Sequence, residues 1–260
     1  AAAVTPPEPR PTQLRPLPID PRAPPLRVVL DAEPAPLDET TEARVRRRWD
    51  EITRRNPHAF DGTILAFLGY DARSNTITAR RERYRRLAVR PEIETGVVLL
   101  GVTGFCSARD RNGHRRVLLA RRSTRTRVYG GLWECAPSGG LDAPAGRGNR
   151  LELGDVIEAF RRESDEELGL RHETAQPRAV ALLRDPIASS LEIVVEARAE
   201  TDHAGGPTLD DLGTRPITRN WEYDDARWFT DAEIAELVRR SPDVLTPPTR
   251  ALLSGRPRPG

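Results

Sequence analysis

Lysine and methionine are absent from this chain of 260 residues. Without lysine, all 41 basic residues are arginines, so a Schiff base and a Walker-type lysine on a phosphate are excluded. Cysteine is scarce. Cys106 and Cys135 are too few for a disulfide framework or a cysteine zinc site, and a reducing cytoplasm is the expected compartment. The histidines, His58, His114, His172 and His203, stand far apart and lack metal-ligand spacing. No apolar run approaches the ~18 residues of a membrane span. The N-terminal stretch lacks the charged-then-apolar profile of a secretory signal, so no membrane partner is expected. An excess of one charge is also missing: 41 basic against 39 acidic residues leave a net +2. A protein built for nucleic-acid backbones needs a clear basic excess, and no nucleic-acid partner is expected.

What is present divides into four stretches. Residues 1–26 are Pro-rich with Arg and Ala between. Such a segment buries too little to offset its ordering entropy, and it reads as a tail that is disordered or lies extended on the surface. Residues 27–95 read as an α+β extension. A strand starts at Arg27-Val28-Val29-Leu30. A helix follows from about Thr40 to Arg55, with Val45, Trp49 and Ile52 on one face, and Asn56-Pro57 ends it. Strands at 63–68 and 76–79 flank a turn near 71–75. Residues 96–253 alternate strands with helices. The strands are an apolar one at 97–105, its partner at 117–120 beyond the Asn112-Gly113 hairpin signal, and shorter ones at 132–135, 178–184 and 191–198. A Gly/Pro/Arg loop spans 141–153, and a helix at 155–168 is stopped by Gly169. A polar loop occupies 200–219. Trp228-Phe229 closes a last strand, and a capping box at Thr230 to Glu233 opens a helix. Residues 254–260 form a second tail.

The chemistry is concentrated in Arg162-Glu163-Ser164-Asp165-Glu166-Glu167-Leu168-Gly169-Leu170. Glu163, Glu166 and Glu167 stand at i, i+3 and i+4, so a helix puts them on one face. Like charges at that spacing destabilise a helix by a few tenths of a kcal/mol per pair. At a C-terminal end the macrodipole makes them worse. A divalent cation reverses that sign, because hard cations such as Mg²⁺ take carboxylate oxygens together with waters and substrate phosphates. The stripe Ile157, Phe160, Ser164, Leu168 is predicted to face a core. An arbitrary acidic run is usually a solvated face, here with Arg161–Asp165 and Arg162–Glu166 pairs. The surroundings argue otherwise, since the strand and loop Gly131-Leu132-Trp133-Glu134-Cys135-Ala136-Pro137-Ser138-Gly139-Gly140 stand just upstream.

Together these segments resemble the Nudix hydrolase family. Its box is Gly, five residues, Glu, seven residues, then Arg-Glu-U-x-Glu-Glu-x-Gly-U, where U is bulky and aliphatic. Arg162, Glu163, Glu166, Glu167, Gly169 and Leu170 match, and Gly140 matches the opening glycine. Val117 to Ser123 resembles the strand before the box, Tyr129 to Glu134 the turn leading into it, and Asp225 to Phe229 the closing strand. There are three departures. Ser164 replaces the aliphatic residue. The spacing from Gly140 to the helix is lengthened. The first glutamate has no exact-position equivalent, with Glu152 and Asp155 as candidates to replace it.

The resemblance implies an α/β Nudix fold, an α/β/α sandwich with a mixed sheet, carrying the N-terminal α+β extension. It implies hydrolysis of a nucleoside diphosphate linked to a group X, a small-molecule substrate. Glu163, Glu166 and Glu167, with the Gly139 carbonyl, would hold Mg²⁺ or Mn²⁺, and Arg162 would orient Glu163. Arg162, Glu163, Glu166 and Glu167 are thus the expected catalytic set. Glu222, Asp224 and Asp225 are open as general base. In the extension, Trp49, Asn56-Pro57, Phe60-Asp61-Gly62 and Tyr84 resemble the UDP-sugar diphosphatase subgroup, which implies a UDP-sugar cut to UMP and a sugar 1-phosphate. Three alternatives stand beside this: another diphosphate (ADP-ribose, a dinucleotide, a prenyl diphosphate), a nucleotide-binding sensor that does not cut, and a partner-binding protein using the Pro/Arg tail. Arg81, Arg83 and Arg85 would share one side of a strand and are the candidate substrate-binding residues, against the plainer reading of a solvated edge. The sequence defines no oligomeric state.

Overall fold

The computed structural model describes residues 14–32, 34, 36–57, 59–110, 112–144, 148–170, 177–199 and 221–254. The strands are β1 Leu17–Pro18, β2 Arg27–Ala32, β3 Thr63–Asp71, β4 Thr76–Arg83, β5 Leu99–Arg109, β6 Arg115–Arg122, β7 Trp133–Cys135, β8 Ser138–Gly140, β9 Arg150–Glu152, β10 Arg178–Asp185, β11 Ser190–Ala199 and β12 Tyr223–Thr230. The helices are α1 Glu39–Arg55, α2 Tyr84–Ala88, α3 Leu153–Leu168, α4 Asp231–Arg240 and α5 Pro247–Ser254. Among the described residues all the strands join one mixed sheet, and its longest path runs β1-β10-β11-β5-β3-β4-β2-β9. The extension therefore shares its sheet with the downstream region.

β5 is the hub. It runs parallel to β11, from Leu99↔Ser190 to Ala108↔Ala199, and antiparallel to β6, β8 and β3. It is buried from Leu100 to Ala108, as an apolar strand covered on both faces must be. Neighbouring residues point to opposite faces. Leu118 and Ala120 of β6 join the core under α3, with Val156, Ala159, Phe160 and Leu168. Val117 and Leu119 join a second core with Ile234 of α4 and Leu252 of α5. Helices thus cover both faces, which is the expected α/β/α arrangement. α3 lies close to the sheet because residue 104 is glycine. A Cβ there would stand 2.6 Å from Pro137 Cδ and 2.7 Å from Phe160 Cε2, so any side chain would push the helix away.

Two sequence expectations change in detail, and a third is narrowed to one of its alternatives. The described part of the Pro-rich segment lies extended on the sheet: Leu17 pairs with Leu182, Ile19 N donates to Val180 O at 2.9 Å, and Leu26 is buried. The expected 141–153 loop contains β9, antiparallel to β2 with Leu151 opposite Val28. Its single buried residue, Leu151 between two charged neighbours, is too short a pattern to read as a strand. The arginine run is not one strand either. β4 stops at Arg83 and α2 starts at Tyr84, so Arg85 lies on a helix. The 200–219 loop lies outside the described residues. Among the described residues no helix is long and apolar enough to cross a membrane.

Candidate active site

A cavity of about 490 Å³ opens beside the C-terminal half of α3, a size suited to one small molecule. Its walls include Ser138, Gly139 and Gly140 of β8, Glu163 and Glu167 of α3, Glu134 of β7, Glu192 of β11, and Glu222 ahead of β12. The extension contributes Thr63, Ile64, Tyr84 and Leu87.

The three box carboxylates meet different surroundings. Glu167 is 3% exposed, and its Oε2 accepts from the Ser138 amide at 3.1 Å. The Glu163 side chain is 15% exposed and accepts from Arg162 Nη2 at 2.7 Å. The Glu166 side chain is 63% exposed, 4.0 Å from Arg162 Nε, and does not line the cavity. Glu163 and Glu167 therefore converge, and Glu166 faces solvent. Arg162 also pairs with Asp142, a partner in the lengthened loop that the sequence did not mark. Glu152 and Asp155 do not line the cavity. Asp155 Oδ2 accepts from Glu152 N at 2.7 Å, so they cap the start of α3.

Of the three candidate bases, Glu222 lines the cavity and Asp224 and Asp225 do not. Glu222 lies beside Glu167, and their carboxyls interact directly. Burial holds the Glu167 carboxyl well above the usual carboxylate range, and the charges of Glu222 and Glu163 add to this. Burial raises Glu222 as well, opposed by the Arg122 guanidinium. Burial raises Glu163 too, opposed by Arg162. Two carboxyls held side by side, one of them buried, are tolerated when they share a proton or face a cation.

Sequence reasoning missed Glu134, Asp185 and Glu192. Glu134 accepts from Arg122 Nη1 at 2.5 Å and from the Tyr223 hydroxyl at 2.8 Å. Both Asp185 oxygens accept from the Tyr129 hydroxyl at 2.8 Å. Burial pushes Glu192 up to about 7. The available signal was an acid inside the apolar run Leu191-Glu192-Ile193-Val194-Val195.

Arg81, Arg83 and Arg85 do not line this cavity. Arg81 donates to Gly148 O at 2.6 Å and Pro144 O at 3.3 Å. Arg83 pairs with Asp61 at 3.0 Å, and Arg85 with Glu42 at 2.7 Å. They fasten the extension to itself and to the lengthened loop. The arginines that do line the cavity are Arg122, Arg127 and Arg162.

The NUDIX domain family matches residues 102–247, more than half of the chain, and the chain belongs to that family. It is a Nudix hydrolase, and its reaction class is hydrolysis of a diphosphate. Similar solved structures include a Nudix hydrolase from M. smegmatis, RenU, at 16% identity over 75% of this chain and 91% of that one, with a TM-score of 0.42. A C. elegans Ap4A hydrolase binary complex is 16% identical over 61% of this chain and 100% of that one, with a TM-score of 0.38. The NUDIX domain of Shewanella oneidensis NrtR complexed with ADP ribose is 17% identical over 63% and 88%, with a TM-score of 0.38. No curated protein matches the chain.

Proposed function

We propose that this chain hydrolyses a nucleoside diphosphate linked to a compact group X in a reaction that depends on Mg²⁺ or Mn²⁺, with a UDP-sugar as the leading substrate. The observation that carries this reading is the contact between Glu167 and Glu222 beside Glu163 in one cavity. Among the described residues no three His, Cys, Asp or Glu side chains form a ready-made metal cluster. The donor chemistry nevertheless fits a hard divalent cation, because one buried and two partly buried carboxyls that repel one another are what such an ion relieves. Glu163 and Glu167, with the Gly139 backbone beside them, would hold it, and Glu166 would reach it only after turning inward.

The bound ion supplies neutralisation of the diphosphate and a more acidic water. The protein supplies the positioning. The Ser138 amide fixes the Glu167 carboxylate, and Arg162 fixes Glu163. We assign the proton of the attacking water to Glu222, because of Glu222, Asp224 and Asp225 it alone lines the cavity. The sugar assignment rests on the resemblance of the extension to the UDP-sugar diphosphatase subgroup, and four residues of that extension wall the cavity.

A product screen with UDP-glucose, UDP-galactose, ADP-ribose, a dinucleoside polyphosphate and a prenyl diphosphate tests the substrate. UMP and sugar 1-phosphate are expected, and faster cleavage of another compound removes the sugar assignment. Chelator should abolish turnover, and Glu167→Gln should lower kcat by at least ~10²-fold, the scale of a lost catalytic group. Full activity of that variant in Mg²⁺ would remove Glu167 from the site.

A further inference from the structure

Of the three arginines that line the cavity among the described residues, two are engaged by acids. Arg122 is paired with Glu134, and Arg162 with Glu163 and Asp142. Among the described residues Arg127 has no acid pair of this kind. Among the described residues its hydrogen bond goes to a backbone carbonyl, Ala188 O, at 2.8 Å from Nη2. The acid facing it is Asp185, whose oxygens already accept from the Tyr129 hydroxyl, from Ile187 N at 2.9 Å and from Ala188 N at 3.1 Å. The other groups facing it are Tyr84 of the extension and two further cations, Arg122 and Arg90.

The two turns that hold Arg127 are unusual. Tyr129 has φ 60 and Ser189 has φ 55, a left-handed backbone that side-chain-bearing residues seldom adopt. The turns are tied to each other by the Arg127–Ala188 and Tyr129–Asp185 bonds. A backbone held in such a conformation at a cavity wall is a reason to look for function there.

We propose that Arg127 is the substrate-anchoring cation of this cavity. Its guanidinium grips a phosphate of the diphosphate, so that the group carried on that phosphate meets the wall made by Thr63, Ile64, Tyr84 and Leu87. This rests on the diphosphate-hydrolase reading and names the residue that recognises the anion. A guanidinium presents a planar fork that matches phosphate oxygens two at a time. The Arg127 side chain is exposed at the cavity wall, so an arriving anion can reach its fork. Those four wall residues carry no charged side chain, which suits a neutral sugar or nucleoside.

The test is a calorimetric titration of inorganic pyrophosphate with Mn²⁺ present, run on the full chain, together with steady-state kinetics on the best substrate of the screen. Arg127→Ala should weaken pyrophosphate binding at least ~10-fold and raise KM by a similar factor, with kcat within about threefold. Arg127→Lys should recover part of the affinity. Arg127→Gln keeps a donor for the Ala188 carbonyl without the charge, so it should behave like Arg127→Ala and decides the matter if that variant does not fold. Affinity and KM within twofold of the parent in the neutral variants would overturn the anchor, as would a fall in kcat at unchanged affinity. Glu167→Gln separates the two levels: its full activity defeats the hydrolase site and leaves the Arg127 affinity result standing.

Discussion

The Glu163 carboxyl lies directly against the α-carbon of Gly139. A Cβ built on Gly139 would stand 2.5 Å from the Glu163 carboxyl carbon and 2.7 Å from its Oε2. Even a methyl group must therefore displace the carboxylate, and the carboxylate is held from its other side by Arg162. Gly139→Ala should lower kcat at least ~10-fold with little loss of stability, because the atoms its methyl meets are the far end of a flexible side chain. Steady-state kinetics and thermal denaturation check it. Parent-like kcat would show that Glu163 can leave this position without consequence.

Ser164 is completely buried at the position where the family has an aliphatic side chain. Its hydroxyl is expected to return a hydrogen bond to the carbonyl four residues back and to take no part in the reaction. Ser164→Ala should leave kcat within about threefold and shift stability by ~1 kcal/mol. A loss of activity on the scale of Glu167→Gln would move Ser164 from the core into the chemistry.

Among the described residues the lengthened loop is tied down by β9 on β2, by Arg81 on Pro144 and Gly148, and by Arg162 on Asp142. Removing the whole loop would also remove a strand of the sheet, so a point change isolates its role better. Arg81→Ala should cost ~1 kcal/mol, since a charged donor is lost from a partly exposed site. It should speed proteolysis within 141–149 and alter KM or substrate preference. Unchanged proteolysis and kinetics would mark Arg81 as dispensable to the loop.

Glu192 makes stability depend on pH. Burial raises its carboxyl from 4.5 to about 7. Between those values the unfolded chain has lost the proton that the folded chain keeps, so the unfolding free energy falls as pH rises. The stabilisation is complete below about pH 4.5 and gone above about pH 7, on the order of 3 kcal/mol in all. Glu134, Glu163, Glu167 and Glu222 are shifted the same way and add to the slope. Melting temperatures across this range should decline less steeply in Glu192→Gln than in the parent. Identical slopes would show that Glu192 titrates normally.

Much of the architecture was legible because it rests on local signals. The β5 run reads as a strand buried on both faces, Gly169 stops α3 with a left-handed φ of 63, and the Thr230–Glu233 box starts α4. The end of β4 was not legible. A run of arginines has no apolar alternation, and its switch to helix at Tyr84 is fixed by Asp61, whose Oδ1 accepts from Arg85 N at 2.9 Å, and by Glu42. Both partners are distant in sequence.

The candidate site divides in the same way. The sequence by itself determined the family, the helix that carries Glu163, Glu166 and Glu167, and the angular spacing of those acids around its axis. It could not determine how that helix is rotated against the sheet. Phe160 seated over Gly104 sets the rotation, and the rotation turns Glu163 and Glu167 into the cavity and leaves Glu166 in water. Nor could it assemble Glu134, Asp185, Glu192 and Glu222 around one space, because they come from separate strands and segments joined only by sheet pairing. Spacing along a helix is a property of the chain, whereas orientation and convergence depend on long-range packing.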